Sequence, residues 1–135
     1  MANIKKKEFE SMVLTLIHEI MHIMGWSNSA IGNFQDRRKG SDYSKYDEPI
    51  KTRSLRGKTV KLVSTPEVVK TAREYFDCSS LEGLELEDQG GSGTAGSHWD
   101  ERVAKEDLMC GIIGVFKGIT RLTMALFVDS GWYSV

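Results

Sequence analysis

An α+β fold dominated by helices is predicted by three features of the amino-acid sequence. Residues 5–24 carry apolar side chains at helical spacing, Thr65-Pro66-Glu67 has the chemistry of a helix start, and residues 59–63 (TVKLV) have that of a strand. In the first helix Phe9, Met12, Val13, Leu16, Ile17, Ile20, Ile23 and Met24 recur at three and four, with neither Gly nor Pro between them. Gly25 follows where a left-handed C-terminal cap is expected. Residues 27–58 show no sustained period and place Gly32, Gly40, Pro49 and Gly57 among polar residues, which predicts loop with short irregular pieces. The β-branched residues of 59–63 then predict a strand. Thr65 as N-cap, Pro66 at the first helical position and Glu67 in the first turn open a helix to about residue 76. Its apolar face is Val68, Val69, Ala72, Tyr75 and Phe76. Residues 81–88 are acidic and partly alternating. The run GGSGTAG at 90–96 is either a flexible linker or backbone that only glycine tolerates. Residues 99–107 read as a short helix or irregular turn, and 110–116 as strand or loop. Residues 120–130 read as a last helix that ends at Gly131.

Composition narrows the functional classes. The chain has 135 residues, with 18 Lys+Arg against 19 Asp+Glu, so net charge offers no overall attraction for nucleic acid. Hydrophobic content of 40% excludes wholesale disorder. No apolar run approaches the ~18 residues of a membrane-crossing helix, and no apolar h-region follows the charged first residues, so no transmembrane segment or secretory signal is expected. Lys and Arg outnumber Asp and Glu in the loop-rich stretch 37–61, which is either a basic patch or a solvated loop. Two cysteines, Cys78 and Cys110, do not make a disulfide framework; they could pair together, stay free or bond outside the chain.

The chemistry is concentrated in His18-Glu19-Ile20-Met21-His22, an HExxH motif inside the first helix. Residues four apart share a helix face with Cβ atoms roughly 5–6 Å apart, so two imidazoles there can meet one Zn²⁺. Glu19, one position on, leans beside the metal, where a carboxylate can hold a zinc-activated water and take its proton. A shuffled chain of this composition would make HExxH roughly once in 200 tries. The bland alternative is two helix histidines with no metal. A catalytic zinc takes a third protein ligand and keeps an open position. In the compact metzincin pattern HExxHxxGxxH the glycine turns the chain toward a third His. Gly25 is in place here, but Asn28 stands at the third-His position and is a poor zinc ligand. The one other histidine is His98, directly after the glycine-rich run. It is either a surface residue or the third ligand across a long insertion. Met109 follows eleven residues on, a spacing compatible with a metzincin methionine turn.

These residues resemble the leishmanolysin family of metzincin zinc endopeptidases, which also separates HExxHxxG from its third His by a long insertion. Further stretches are similar in the same order: LRGKTVK at 55–61, TPEVVKTAREYFDC at 65–78, LELEDQGGSGTAGSHWDERVAKEDLM at 84–109 and LTMALFVDSGWY at 122–133. The resemblance implies zinc-dependent hydrolysis of peptide bonds in proteins. His18, His22 and His98 would bind one Zn²⁺, Glu19 would be the general base, Gly25 would make the turn, and Met109 would be the methionine of the Met-turn. It divides the chain into an active-site helix at 8–25, an insertion at 26–97, the third ligand and Met-turn at 98–109, and a C-terminal helix at 119–131. A carboxylate beside His98, Asp100 or Glu101, could orient a ligand histidine, or the acidic turn could be solvated. Cys78 matches a family cysteine.

With 17 residues before His18, residues 1–135 read as a partial catalytic domain whose upper sheet-bearing half is missing. That missing half is the expected structural partner, beside protein or peptide substrates. The apolar arc of the first helix is therefore expected to be exposed and to drive aggregation of the isolated chain. Family resemblance implies an extracellular or cell-surface setting. The alternative functions are a non-catalytic zinc-binding remnant acting as an interaction or adhesion module, and a metal-free helical protein whose basic loop binds an anionic partner.

Overall fold

The computed structural model describes residues 5–42, 44–112 and 117–133. Five α-helices and three strands occur in this part of the chain: α1 (Lys6–Ile23), α2 (Asn28–Ile31), β1 (Ile50–Leu55), β2 (Lys58–Val63), α3 (Pro66–Tyr75), β3 (Leu84–Glu85), α4 (Glu101–Ala104) and α5 (Arg121–Asp129). The mixture of helices with one small sheet is compatible with the α+β class. Part of the predicted ambiguous stretch 110–116, residues 113–116, lies outside the described residues.

The sheet has the order β1-β2-β3 and is antiparallel throughout. β1 falls in the stretch read as loop. Its sequence, IKTRSL, is polar and only half-buried on alternate positions, so it carries a weak strand signal. The β1–β2 hairpin turns at Arg56 and Gly57, with φ of 54° and 75°, and Leu55 pairs with Lys58. Two left-handed central residues give the twist that a two-residue hairpin needs. Three of the five basic residues of the hairpin meet acids from elsewhere: Arg53 with Glu82, Arg56 with Glu85, and Lys58 with Asp88. Arg38 pairs with Asp36 and Lys39 with Asp47. Five of the nine basic residues at 37–61 are thus paired with an acid on the folded surface.

α3 starts at Pro66 as predicted, but Thr65 makes no side-chain cap. The cap comes instead from Asp129 at the end of α5, whose carboxylate accepts from the amides of Glu67 and Val68 at 3.1 and 2.9 Å. This bond ties α3 to α5, and their facing residues Val68, Ala72, Leu122 and Leu126 are all buried. The same core takes in Trp26, Ile31, Phe34, Val63, Leu84, Leu86, Trp99 and Met109. Fully burying such aliphatic and aromatic side chains contributes about 1.5–3 kcal/mol each. At its centre Trp26 and Trp99 meet edge to face, ring centroids 4.7 Å apart.

α1 touches this core through Met21 and Ile17 alone among its apolar residues. Its buried residues are His18 and Met21. Phe9, Met12, Leu16, Ile20 and Ile23 are exposed, Ile23 to 85%. The apolar stripe that predicts α1 so clearly thus faces outward, as the sequence leads one to expect.

Candidate metal centre

The end of α1 is shaped by Gly25. The amide of Gly25 donates to His22 O (3.1 Å) and that of Trp26 to Met21 O (3.0 Å), with Gly25 at φ +115°. This is the Schellman arrangement, whose left-handed residue glycine adopts without a Cβ penalty. A Cβ on Gly25 would lie 2.5 Å from the Trp132 ring. The turn does two things. It sends Trp26 into the core, and it sets the Trp26 carbonyl 2.6 Å from His22 Nδ1.

The third histidine arrives on irregular backbone. Gly90, Gly91 and Gly96 have φ of 80°, 72° and 77°. The glycine-rich run is thus a shaped turn, with one 3-10 segment at Gly91–Gly93. The amide of Gly96 donates to Glu87 O (2.8 Å) and that of Glu87 to His98 O (2.9 Å). These bonds bring His98 back beside the sheet. His98 Nδ1 then meets Thr94 O at 3.0 Å. From the far side comes the turn around Met109. Trp99 N donates to Met109 O (2.9 Å), and His18 Nδ1 lies 2.8 Å from Leu108 O.

Three histidines separated by up to 80 positions therefore converge. His18 Nε2 lies 3.0 Å from both His22 Nε2 and His98 Nε2, and the last two are 3.2 Å apart. Among the described residues this trio is the one His/Cys/Asp/Glu group with metal-ligand geometry. His18 and His98 are buried and His22 is half-buried.

The hydrogen bonds assign the protons. Each Nδ1 faces a backbone carbonyl, which can only accept, so each Nδ1 carries hydrogen. A neutral imidazole protonated there has a bare lone pair at Nε2. Three lone pairs thus face one another with no donor among them. Burial holds the basicity of His18 and His98 below the ordinary value of 6.5, which opposes adding protons to relieve the repulsion. A cation is the complement of this donor set. Ligands roughly 2.0–2.1 Å from a tetrahedral zinc would stand about 3.3 Å apart, within a few tenths of the separations here.

Glu19 is exposed at the edge of the cluster, and its charge reaches both His18 and His98. Met109 is fully buried, one residue from the carbonyl that holds His18. Neither Asp100 nor Glu101 orients a histidine directly, because all three Nδ1 partners are backbone carbonyls. Asp100 is buried rather than solvated. It caps α4 through the amide of Arg102 at 2.8 Å and pairs with the Arg102 guanidinium at 3.0 Å. Cys78 and Cys110 are both free thiols; Cys110 is buried, donates to Ala104 O, and burial pushes its pKa up to about 12. No described helix is long and apolar enough to cross a membrane.

Comparison with known proteins gives the family. The profile of the leishmanolysin peptidases (M8) matches residues 1–135. A leishmanolysin-like peptidase of Drosophila pseudoobscura pseudoobscura is 36% identical over 96% of the chain and 23% of its own length. A leishmanolysin homolog of Crithidia fasciculata is 38% identical over 98% of the chain and 18% of its own length. The leishmanolysin of Leishmania major is 35% identical over 98% of the chain and 20% of its own length. The chain thus spans about a fifth of the length of these relatives.

Proposed function

Because the chain belongs to the leishmanolysin family of metallopeptidases, we propose that it carries the zinc-binding, catalytic-base part of an endopeptidase that hydrolyses peptide bonds in proteins. The observation that supports this most is the orientation of the three imidazoles, each with Nδ1 given to a carbonyl and Nε2 pointed at a common centre. His18, His22 and His98 hold one Zn²⁺ through Nε2. When bound, zinc supplies Lewis acidity, lowering the pKa of a water and polarising a substrate carbonyl. Glu19 is the general base. Its exposed carboxylate accepts the proton from the attacking water and returns it to the amine leaving group. The Leu108, Trp26 and Thr94 carbonyls fix the tautomers and hold the rings in register, the role that outer partners of metal-bound histidines serve.

The exposed face of α1 takes the remainder of the peptidase domain, which completes the cleft for an extended protein substrate. The setting is extracellular or at the cell surface. Zinc-loaded protein that includes such a domain should cleave denatured protein substrates, and Glu19→Gln should lower the rate about 10²–10⁴-fold with zinc retained. Equal cleavage by the variant would remove Glu19 from the mechanism. Equal absence of cleavage, with zinc bound in both, would favour the reading of a non-catalytic zinc-binding interaction or adhesion module.

A further inference from the structure

The carboxylate of Asp107 is fully buried, and no cation pairs with it among the described residues. Burying a charge in this way is costly unless donors satisfy it, and here four do. Oδ1 accepts from Met109 N at 2.7 Å and from Thr123 Oγ1 at 2.8 Å. Oδ2 accepts from Thr120 N at 3.2 Å and from the Thr120 hydroxyl. Thr123 Oγ1 in turn accepts from the Trp99 indole Nε1 at 2.9 Å. One carboxylate thus joins the turn around Met109, the start of α5 and the tryptophan next to His98. The backbone supports the same turn, with Leu108 N donating to Gly118 O at 2.7 Å and Trp99 N to Met109 O at 2.9 Å.

The consequence falls on two of the three converging histidines. The peptide between Leu108 and Met109 presents its N–H to Asp107 and its carbonyl to His18 Nδ1. A planar peptide held at its N–H has its C=O direction fixed as well. His98 is covalently joined to Trp99, whose amide and indole are both held by this unit. We propose that Asp107 is a positioning residue for the metal centre, aiming the Leu108 carbonyl at His18 and setting the Trp99–His98 segment through Thr123. The inference rests on the metal reading above for its functional meaning. Its structural content, the control of the His18 tautomer and orientation, stands without metal. The carboxylate is chemically specific, because all four partners are donors. An amide at this position would turn an N–H toward one pair of them.

The test uses the 135-residue chain with Asp107→Asn and Thr123→Val, the second retaining side-chain shape while removing one donor to Asp107 and the acceptor of the Trp99 indole. Long-range ¹H–¹⁵N spectra of the metal-free chain read the imidazole tautomers directly. The wild type should show His18 with its proton on Nδ1. Asp107→Asn should give a tautomer mixture, a roughly 10-fold or greater loss of zinc affinity and an altered visible spectrum of the Co²⁺ form. Thr123→Val should move all three readouts the same way by less, in a chain that still melts cooperatively. Folded variants whose His18 tautomer, Co²⁺ spectrum and zinc affinity match the wild type would overturn the positioning role and leave the metal reading intact. A wild type that takes up no metal while its His18 tautomer still responds to Asp107→Asn would instead contradict the metal reading and uphold the positioning role.

Discussion

The two sides of the three-histidine cluster are built by opposite means. His18 and His22 come from one regular helix that buries little else, whereas His98 comes from irregular backbone tied by several long-range bonds. On α1 the spacing of the two histidines follows from helix geometry alone, and few outside contacts are required. At His98 nothing regular sets the position. Left-handed glycines, the Glu87 backbone, the Trp26–Trp99 contact and the Asp107 unit do so together. The contrast teaches that precision at a metal site can come from regularity or from many converging bonds, and that the two fail differently when mutated.

The largest difference should appear on deleting core volume beside each ligand. Trp99→Ala removes a fully buried ring next to His98 and should destabilise by about 3–5 kcal/mol. Chemical denaturation of wild type and variant measures this, and a cost no greater than that of a surface substitution would break the comparison. Gly25→Ala strikes the junction of the two sides. At φ +115°, and with the new Cβ 2.5 Å from Trp132, it should cost about 1–3 kcal/mol. It should also loosen the Trp26 carbonyl that holds His22, so the zinc dissociation constant, read by chelator competition, should rise with it.

Acid should sharpen the contrast further. Burial depresses the folded-state pKa of His18 and His98 below 6.5, so the unfolded chain binds more protons than the folded one as pH falls through that value. The metal-free chain should therefore keep its stability above about pH 7 and lose it progressively below about pH 6.5. Denaturant midpoints between pH 7.5 and 5.5 would reveal this, and His98→Ala should flatten the dependence. The smallest effect on folding belongs to the outer face of α1. Leu16→Glu or Ile20→Glu should change stability by no more than about 0.5 kcal/mol while reducing self-association, as seen by light scattering.

The same contrast explains what could be read from the letters. α1, α3, α5 and β2 announce themselves through period, caps and β-branched runs, and the two ligands of α1 come with their motif. β1 is hidden because its less exposed positions include the charged Lys51 and Arg53 and its turn is Arg-Gly rather than Asn-Gly; positive φ at both turn residues is its real signal, and only Gly57 hints at it. β3 has two residues, too few to carry a period. His98 is found in the sequence by elimination and resemblance, since an insertion of this length leaves no local spacing. The carbonyls of Leu108, Trp26 and Thr94 have no letter of their own, because every residue carries one. Asp107 reads as an ordinary acid in EDLM until folding brings Thr120, Thr123 and Trp99 to it. Thr65 misleads in the other direction, being the right residue for a cap that Asp129 supplies from 64 positions away.

On the reading proposed above, a regular helix and an irregular, heavily bonded loop meet to form one three-histidine cation site. Elemental analysis of purified wild type beside His98→Ala tests it most directly. About one zinc per wild-type chain and its loss from the variant, with both folded, are expected. Zinc absent from folded wild type, or retained unchanged by His98→Ala, would contradict it.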